Sequence, residues 1–133
     1  ALFDETLNAV RNANDGSLIF TNFVDFDMLY GHRRDIGGYA AALEAFDRRV
    51  PELRALLRPE DIVVVTADHG CDPTARGHDH TREHVPVLAF GPDVNAVDLG
   101  ERESFADIGE TLASHLKVAP FGTGKSFLSE IYG

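Results

Sequence analysis

Cysteine, methionine and tryptophan are nearly missing from this sequence of 133 residues, which has one cysteine, one methionine and no tryptophan. Because the lone Cys71 cannot form a disulfide within the chain, the fold does not depend on oxidation, and we expect a cytoplasmic protein. No apolar run approaches the roughly 18 residues of a membrane-spanning helix, so we expect no membrane association. The first residues, ALFDETLNAV, lack the basic start and apolar middle of a signal peptide.

Basic residues are also scarce, with 12 Lys and Arg against 22 Asp and Glu and a formal net charge of −10. We expect no nucleic-acid partner, because neutralising phosphates requires an excess of basic side chains. An anionic small substrate would be repelled unless bound cations or a local arginine patch reversed the potential. Five of the six histidines lie between residues 32 and 84, interleaved with aspartates, which makes metal ions the first candidates.

The apolar pattern predicts an α/β domain. The apolar residues (44%) and charged residues (26%) are ordinary for a globular protein, and the length suits one domain or part of a larger one. Strands are predicted at 17–24, 61–67 and 85–90, and helices at 2–12, 36–57 and 105–116. This order indicates a mostly parallel sheet with flanking helices. Right-handed crossovers would bring the ends of strands 17–24 and 61–67 to one edge, where ligands bind in such sheets.

Several local signals refine the predicted helices. The inward face of helix 2–12 is predicted to consist of Leu2, Phe3, Leu7 and Val10. Asp35 and Ser104 are predicted N-caps of the second and third helices. Pro51 lies inside the pattern of helix 36–57 and should kink or split it.

Metal-ligating side chains follow two of the predicted strands. Asp27 and His32 come after the first strand, Asp68 and His69 directly follow the central strand, and His80 lies eleven residues beyond His69. Neighbouring strand residues point to opposite faces, so Asp68 and His69 converge only if the backbone turns, which the following glycine permits. An Asp-His-Gly tripeptide alone is typical of an ordinary turn, but two such pairs at one sheet edge favour a metal site. Carboxylate and imidazole ligands suit Zn²⁺, Mn²⁺ or Fe²⁺.

The same residues form long motifs that cover essentially the whole chain. They read V-D-F-D-x-x-Y-G-H-R-R-D at 24–35, T-A-D-H-G at 66–70, G-x-D-H-T-R-E-H-x-P at 77–86, F-A-D-I-G at 105–109 and S-F-L at 126–128. Together they resemble the phosphopentomutase family of the alkaline phosphatase superfamily, which also contains cofactor-independent phosphoglycerate mutase. One departure is His78, where the family often has threonine.

The resemblance implies a fold, a reaction and a metal content. It implies part of an alkaline-phosphatase-like core with two Mn²⁺ ions per intact active site, and a role in nucleoside catabolism. Asp27, His32 and His80 would hold one ion, and Asp68 and His69 would supply part of the shell of the other. The family transfers phosphate between C1 and C5 of ribose or deoxyribose phosphate through a phosphothreonine enzyme and a bisphosphate intermediate.

The family's nucleophilic threonine, its N-terminal metal-binding aspartate and its cap domain have no counterpart in this sequence. We therefore expect residues 1–133 to be the C-terminal third of a phosphopentomutase, inactive alone and completed by the remainder of the same polypeptide. No catalytic nucleophile is assigned within the chain. A related phosphomonoesterase or phosphoglycerate mutase, and a metal-binding protein without turnover, remain alternatives.

Other polar residues have weaker signals. Asp25, Arg33 and Arg82 are candidates for contacts with metal-bound histidines or phosphate, although Arg33, Arg34 and Arg82 fit ion-pair scaffolding equally well. His78 is predicted to be an exposed loop residue, and Cys71 to be a packing residue. The segment G-T-G-K-S at 122–126 is not a nucleotide-binding loop, because Ala119 replaces the first glycine of that motif.

Overall fold

The computed structural model describes residues 1–132, in which short helices alternate with extended segments. In chain order the elements are helix α1 (Leu2–Asn12), a π-helix (Phe26–Gly31), helices α2 (Ile36–Asp47) and α3 (Val50–Arg54), strands β1 (Val63–Val65) and β2 (Leu88–Phe90), and helices α4 (Ala106–His115) and α5 (Leu128–Ile131). This mixture of helix and strand agrees with the predicted α/β class at a coarse level. Within the described residues, no helix has both the length and the apolar character needed to cross a bilayer.

The sheet differs from the prediction of a mostly parallel arrangement. In residues 1–132 it has two strands, β1 and β2, which run antiparallel with Val63 opposite Phe90 and Val65 opposite Leu88. The strand predicted at 17–24 does not form, and Leu18 and Phe20 are 61% and 86% exposed there. A β-favouring segment becomes a strand only when a neighbouring strand completes its hydrogen bonds and covers its side chains, and these residues have no such neighbour within 1–132.

The main apolar core lies between α1, α3 and the segment before the π-helix. Phe3, Leu7 and Leu53 are buried at its centre. Phe46 packs edge-to-face against Phe3 and Phe23, at centroid distances of 5.5 and 5.2 Å. Leu2, the first residue of α1, was predicted to face inward but is 44% exposed.

The second predicted helix is divided as its proline indicates. Its first half, α2, begins after Asp35, whose Oδ1 accepts a hydrogen bond from the Gly38 N–H at 2.8 Å, so the predicted cap is confirmed. Its second half, α3, has Pro51 in the first turn, where a missing N–H leaves no hydrogen bond unmade. Tyr39 of α2 packs against Phe26 at 5.5 Å, and this contact joins α2 to the π-helix.

Helix α4 is bonded to the loop that resembles a phosphate-binding motif. The Oγ of Ser104 accepts from the Ala106 N–H at 3.1 Å, as predicted for a cap, although the helix boundary falls at Phe105. Asp107 accepts from the Lys125 N–H at 2.9 Å, and Glu110 accepts from the N–H groups of residues 122 and 123. The backbone donors that would bind phosphate in a nucleotide loop are therefore bonded to carboxylates, which supports the rejection of that interpretation.

Candidate metal centre

A single turn of π-helix brings Asp27 and His32 together. The His32 N–H donates to the Asp27 carbonyl at 2.9 Å, which is the five-residue hydrogen bond that defines a π-turn. Residues five apart are thereby stacked on one side of the turn, and His32 Nε2 lies 3.4 Å from Asp27 Oδ2. A spacing of five residues would not bring two side chains together in an α-helix or a strand, but it does so in a π-turn.

His80 reaches the same carboxylate from the second loop. Its Nε2 lies 3.3 Å from Asp27 Oδ1, on the other oxygen from the one that faces His32. The rings of His32 and His80 have their centroids 4.7 Å apart. The structure therefore brings together the three residues that were assigned to one ion.

Of the second predicted pair, His69 lies within the cluster and Asp68 lies at its surface. The ring of His69 stacks on His80 with a centroid distance of 3.8 Å, and ligand atoms of Asp27, His69 and His80 lie within 4.8 Å of one another. Asp68 is 85% exposed, and its Oδ2 lies 3.5 Å from the Nε2 of His69. Four of the five predicted ligands thus form one cluster, and Asp68 lies on its solvent side.

Backbone carbonyls fix which ring nitrogens carry protons. His32 Nδ1 donates to the carbonyl of His78, and His69 Nδ1 donates to the carbonyl of Gly70 at 3.1 Å. A carbonyl oxygen only accepts, so each Nδ1 carries a proton, and in the neutral tautomer the lone pair is then on Nε2. In both residues this Nε2 atom faces an aspartate, which is the arrangement of a ligating histidine held by an outer contact.

The Oδ1 atom of Asp27 is the observation that most directly indicates a cation. It is a buried side-chain oxygen with no hydrogen-bond partner in residues 1–132. A buried carboxylate oxygen without a donor is unfavourable, and such atoms are uncommon in native proteins. A divalent ion between Asp27 and the neighbouring imidazoles would satisfy it, and one carboxylate with several imidazoles is a suitable donor set for a transition metal.

Cys71 lies beside this cluster and packs against the end of the π-helix. Ligand atoms of Asp27, His32 and Cys71 also lie within 4.8 Å of one another. Burial raises the pKa of the Cys71 thiol, and the neighbouring Asp27 carboxylate raises it further, so the group is uncharged at neutral pH. A methyl group on Gly31 would come within 2.6 Å of Cys71 Sγ, which shows how closely the thiol approaches the backbone.

The loop after β1 is braced by a threonine. The Thr81 N–H donates to the Gly70 carbonyl at 2.9 Å, and Thr81 Oγ1 accepts from the Asp72 N–H at 2.8 Å. The hydroxyl donates in turn to Glu83 Oε1 at 2.8 Å. Glu83 lies so close to Gly70 that any side chain at Gly70 would overlap its carboxylate. Gly70 does not have the positive φ of a left-handed turn, and a side chain there would require Glu83 to move.

The three outer candidates predicted from sequence make no described contact with the cluster. Asp25, Arg33 and Arg82 are exposed and take part in none of the side-chain hydrogen bonds of the described chain. The contacts come instead from Arg34, which donates to carbonyls of both metal-site loops, and from His78, whose carbonyl holds His32. His78 is exposed, as predicted, but the sequence did not indicate its contact with His32, because one of the two hydrogen bonds uses the His78 carbonyl. The sequence also offered no basis for choosing Arg34 over Arg33.

The sequence of residues 1–120 matches the family model of the Metalloenzyme superfamily. Among relatives, a phosphopentomutase of Legionella pneumophila (strain Philadelphia 1) is 64% identical over 129 residues, and one of Agrobacterium fabrum is 61% identical over 128 residues. A phosphopentomutase of Yersinia pestis (strain Angola) is 59% identical over 128 residues. Each alignment covers 96% of this chain but only 31–32% of the relative. The chain thus spans about a third of the length of the relatives that it matches.

Proposed function

The chain belongs to the Metalloenzyme superfamily, and we propose that it forms the metal-binding part of a phosphopentomutase active site. The proposed reaction interconverts the 1-phosphate and 5-phosphate of ribose or deoxyribose through a phosphothreonine enzyme and a bisphosphate intermediate. It would take place in the cytoplasm. The observation that carries the proposal is the buried Asp27 Oδ1, which has no hydrogen-bond partner in the described chain and lies 3.3 Å from His80 Nε2.

The proposed metal is Mn²⁺, with two ions in the intact site. One would be held by Asp27, His32 and His80, and the other in part by Asp68 and His69. Bound there, the ions would act as Lewis acids on the phosphoryl group and clamp its attacking and leaving oxygens. Their charge would also offset the repulsion between a pentose phosphate and a protein of net charge −10.

Within this proposal, the chain's own residues hold the ligand atoms in position before a metal ion binds. The protons on Nδ1 of His32 and His69 are held by carbonyls, so their Nε2 lone pairs are ready to ligate. The single carboxylate of Asp27 lies between two imidazoles and presents a different oxygen to each. A rigid set of donors reduces the ordering that metal binding would otherwise require.

The nucleophilic threonine of the proposed reaction would come from further protein surface that packs against this chain. The exposed apolar side chains of Leu18 and Phe20 support such a contact, because large apolar groups gathered at a surface usually mark an interface. We also propose that segment 17–24 then becomes a strand of a mostly parallel, alkaline-phosphatase-like core. Alone, the chain would bind metal without completing the reaction.

The test is conversion of ribose 1-phosphate to ribose 5-phosphate by the full-length protein with Mn²⁺. Replacing His80→Ala should lower kcat/KM about a hundredfold or more, because a metal-bound oxygen is worth several kcal/mol in the transition state. His115→Ala, on α4 and outside the cluster, is the matched control and should leave the rate unchanged. Equal activity of the His80 variant would refute the metal role. Activity on phosphomonoesters or phosphoglycerate alone would assign a different reaction to the same centre.

A further inference from the structure

We propose that Arg34 is a positioning residue that fixes the relative placement of the two metal-site loops. The proposal rests on the function proposed above, since it concerns the same centre. Arg34 follows the π-helix by three residues and is half-buried. Its backbone has a φ of 56°, in the left-handed region that residues other than glycine rarely adopt. Such a conformation persists where the surroundings determine it, which directs attention to what the side chain contacts.

The guanidinium of Arg34 donates four hydrogen bonds to backbone carbonyls. Nη1 donates to Gly31 at 3.2 Å and to Asp72 at 2.6 Å, Nε donates to Gly77 at 2.6 Å, and Nη2 donates to Asp79 at 2.6 Å. Arginine has five N–H donors, so only one remains for any other partner. This use of the donors favours a role within the protein over direct binding of a substrate phosphate.

Two of the four carbonyls belong to residues that directly precede ligands of the proposed centre. Gly31 directly precedes His32, and Asp79 directly precedes His80. A single planar group therefore joins the end of the π-helix to the loop that carries His80. Because Arg34 spans both segments with fixed geometry, it sets how far apart the two imidazoles are held.

A second pair of hydrogen bonds joins the same two segments, the end of the π-helix and the loop that carries His80. His78 Nδ1 donates to the His32 carbonyl at 2.9 Å, while His32 Nδ1 donates to the His78 carbonyl. This pair orients the His32 ring but makes no bond to residues 79 and 80. Within residues 1–132, Arg34 is the only side chain that donates a hydrogen bond to Asp79, the residue before His80, so we expect its loss to release His80 while His32 stays oriented.

The test is Mn²⁺ binding to the full-length protein, measured by calorimetry and by the electron paramagnetic resonance of bound Mn²⁺. Arg34→Ala should weaken binding about 10- to 100-fold, as found for outer contacts of metal sites. It should also reduce the nitrogen hyperfine coupling that a bound imidazole gives. Arg33→Ala is the matched control, because the neighbouring side chain is exposed and makes none of these bonds. Its Mn²⁺ affinity should stay within about twofold of the parent.

Should Arg34→Ala fail to fold, Arg34→Lys decides the question. Lysine keeps the charge but lacks the planar fork, so Mn²⁺ affinity should still fall, by about tenfold. Unchanged affinity in Arg34→Lys would then overturn the proposal, as would unchanged affinity in a folded Arg34→Ala or an equal loss in Arg33→Ala. The mutase assay is a separate readout. A parent protein that binds Mn²⁺ but converts no pentose phosphate would reject the proposed function and leave the Arg34 comparison valid.

Discussion

The Oδ1 atom of Asp27 lies 3.3 Å from Nε2 of His80, and it is a buried oxygen without a hydrogen-bond partner among residues 1–132. Neither side chain satisfies the other, because His80 approaches with a ring nitrogen whose geometry gives no hydrogen bond. The two atoms are therefore placed as they would be if both bound one cation. Since Asp27 turns its second oxygen to His32, this one carboxylate lies at the centre of the cluster.

Replacing Asp27→Asn should separate metal binding from folding. We expect Mn²⁺ to raise the unfolding free energy of the parent by about 2.7 kcal/mol at a hundredfold excess over Kd, and to stabilise the variant clearly less. Without metal the variant should be at least as stable as the parent, because an uncompensated buried carboxylate is removed. Thermal unfolding with and without Mn²⁺ measures both effects. The exposed Asp25→Asn is the control, and an equal loss of Mn²⁺ stabilisation there would argue against a specific role for Asp27.

Replacing Gly31→Ala should disturb the π-helix and the centre together. The added methyl group would lie 2.6 Å from Cys71 Sγ and 2.9 Å from the Phe26 carbonyl oxygen, and the latter belongs to rigid backbone. We expect a loss of about 1–3 kcal/mol in the free energy of unfolding, the usual cost of overpacking. Urea denaturation measures it.

The control for this substitution is Gly37→Ala in α2, where the nearest atom to the new methyl group is 3.8 Å away. There the better helix propensity of alanine should leave stability unchanged or raise it by up to about 1 kcal/mol. If both variants lost the same stability, the close contact at Gly31 would not be the cause.

Replacing Thr111→Val should weaken the junction between α4 and the C-terminal segment. Thr111 is fully buried, and its Oγ1 donates to the Asp107 carbonyl at 2.7 Å and accepts from the Phe127 N–H at 2.9 Å. Valine keeps the shape but leaves the buried Phe127 N–H without a partner, which should cost about 1–3 kcal/mol. Thr111→Ser keeps the hydroxyl and should recover part of this stability in urea denaturation. Equal losses in both variants would assign the effect to packing instead.

The sequence predicted the elements whose causes are local. Helix α1, the Asp35 cap and the break at Pro51 depend on residues within a few positions, and each is present. The predicted strand at 17–24 is absent from the described residues because its formation depends on a neighbour that residues 1–132 do not supply. Dependence on distant residues therefore explains why this strand prediction failed where these three local predictions succeeded.

The same distinction applies to the centre. The motifs placed Asp27, His32 and His80 in one region, and the structure brings them together, while their role as ligands stays a prediction. The π-turn was not foreseen, because no residue type specifies an extra residue in a helical turn. The bonds of Arg34 were not foreseen either, because they end on carbonyls, which every residue has.

Lowering the pH should remove the contribution of Asp107 to the free energy of unfolding. The hydrogen bond from the Lys125 N–H, assisted by Arg102, holds the pKa of Asp107 below its ordinary value of 3.8. A carboxyl whose pKa is lower in the folded than in the unfolded protein stabilises the fold fully above the unfolded pKa. This contribution disappears as the pH falls through the folded pKa. Stability should therefore decline below about pH 4, and Asp107→Asn should flatten that decline while lowering stability at neutral pH.

Urea denaturation across this pH range measures how steeply the free energy of unfolding falls, with the exposed Asp93→Asn as control. A slope below pH 4 that is unchanged in Asp107→Asn would show that other carboxyl groups cause the acid sensitivity.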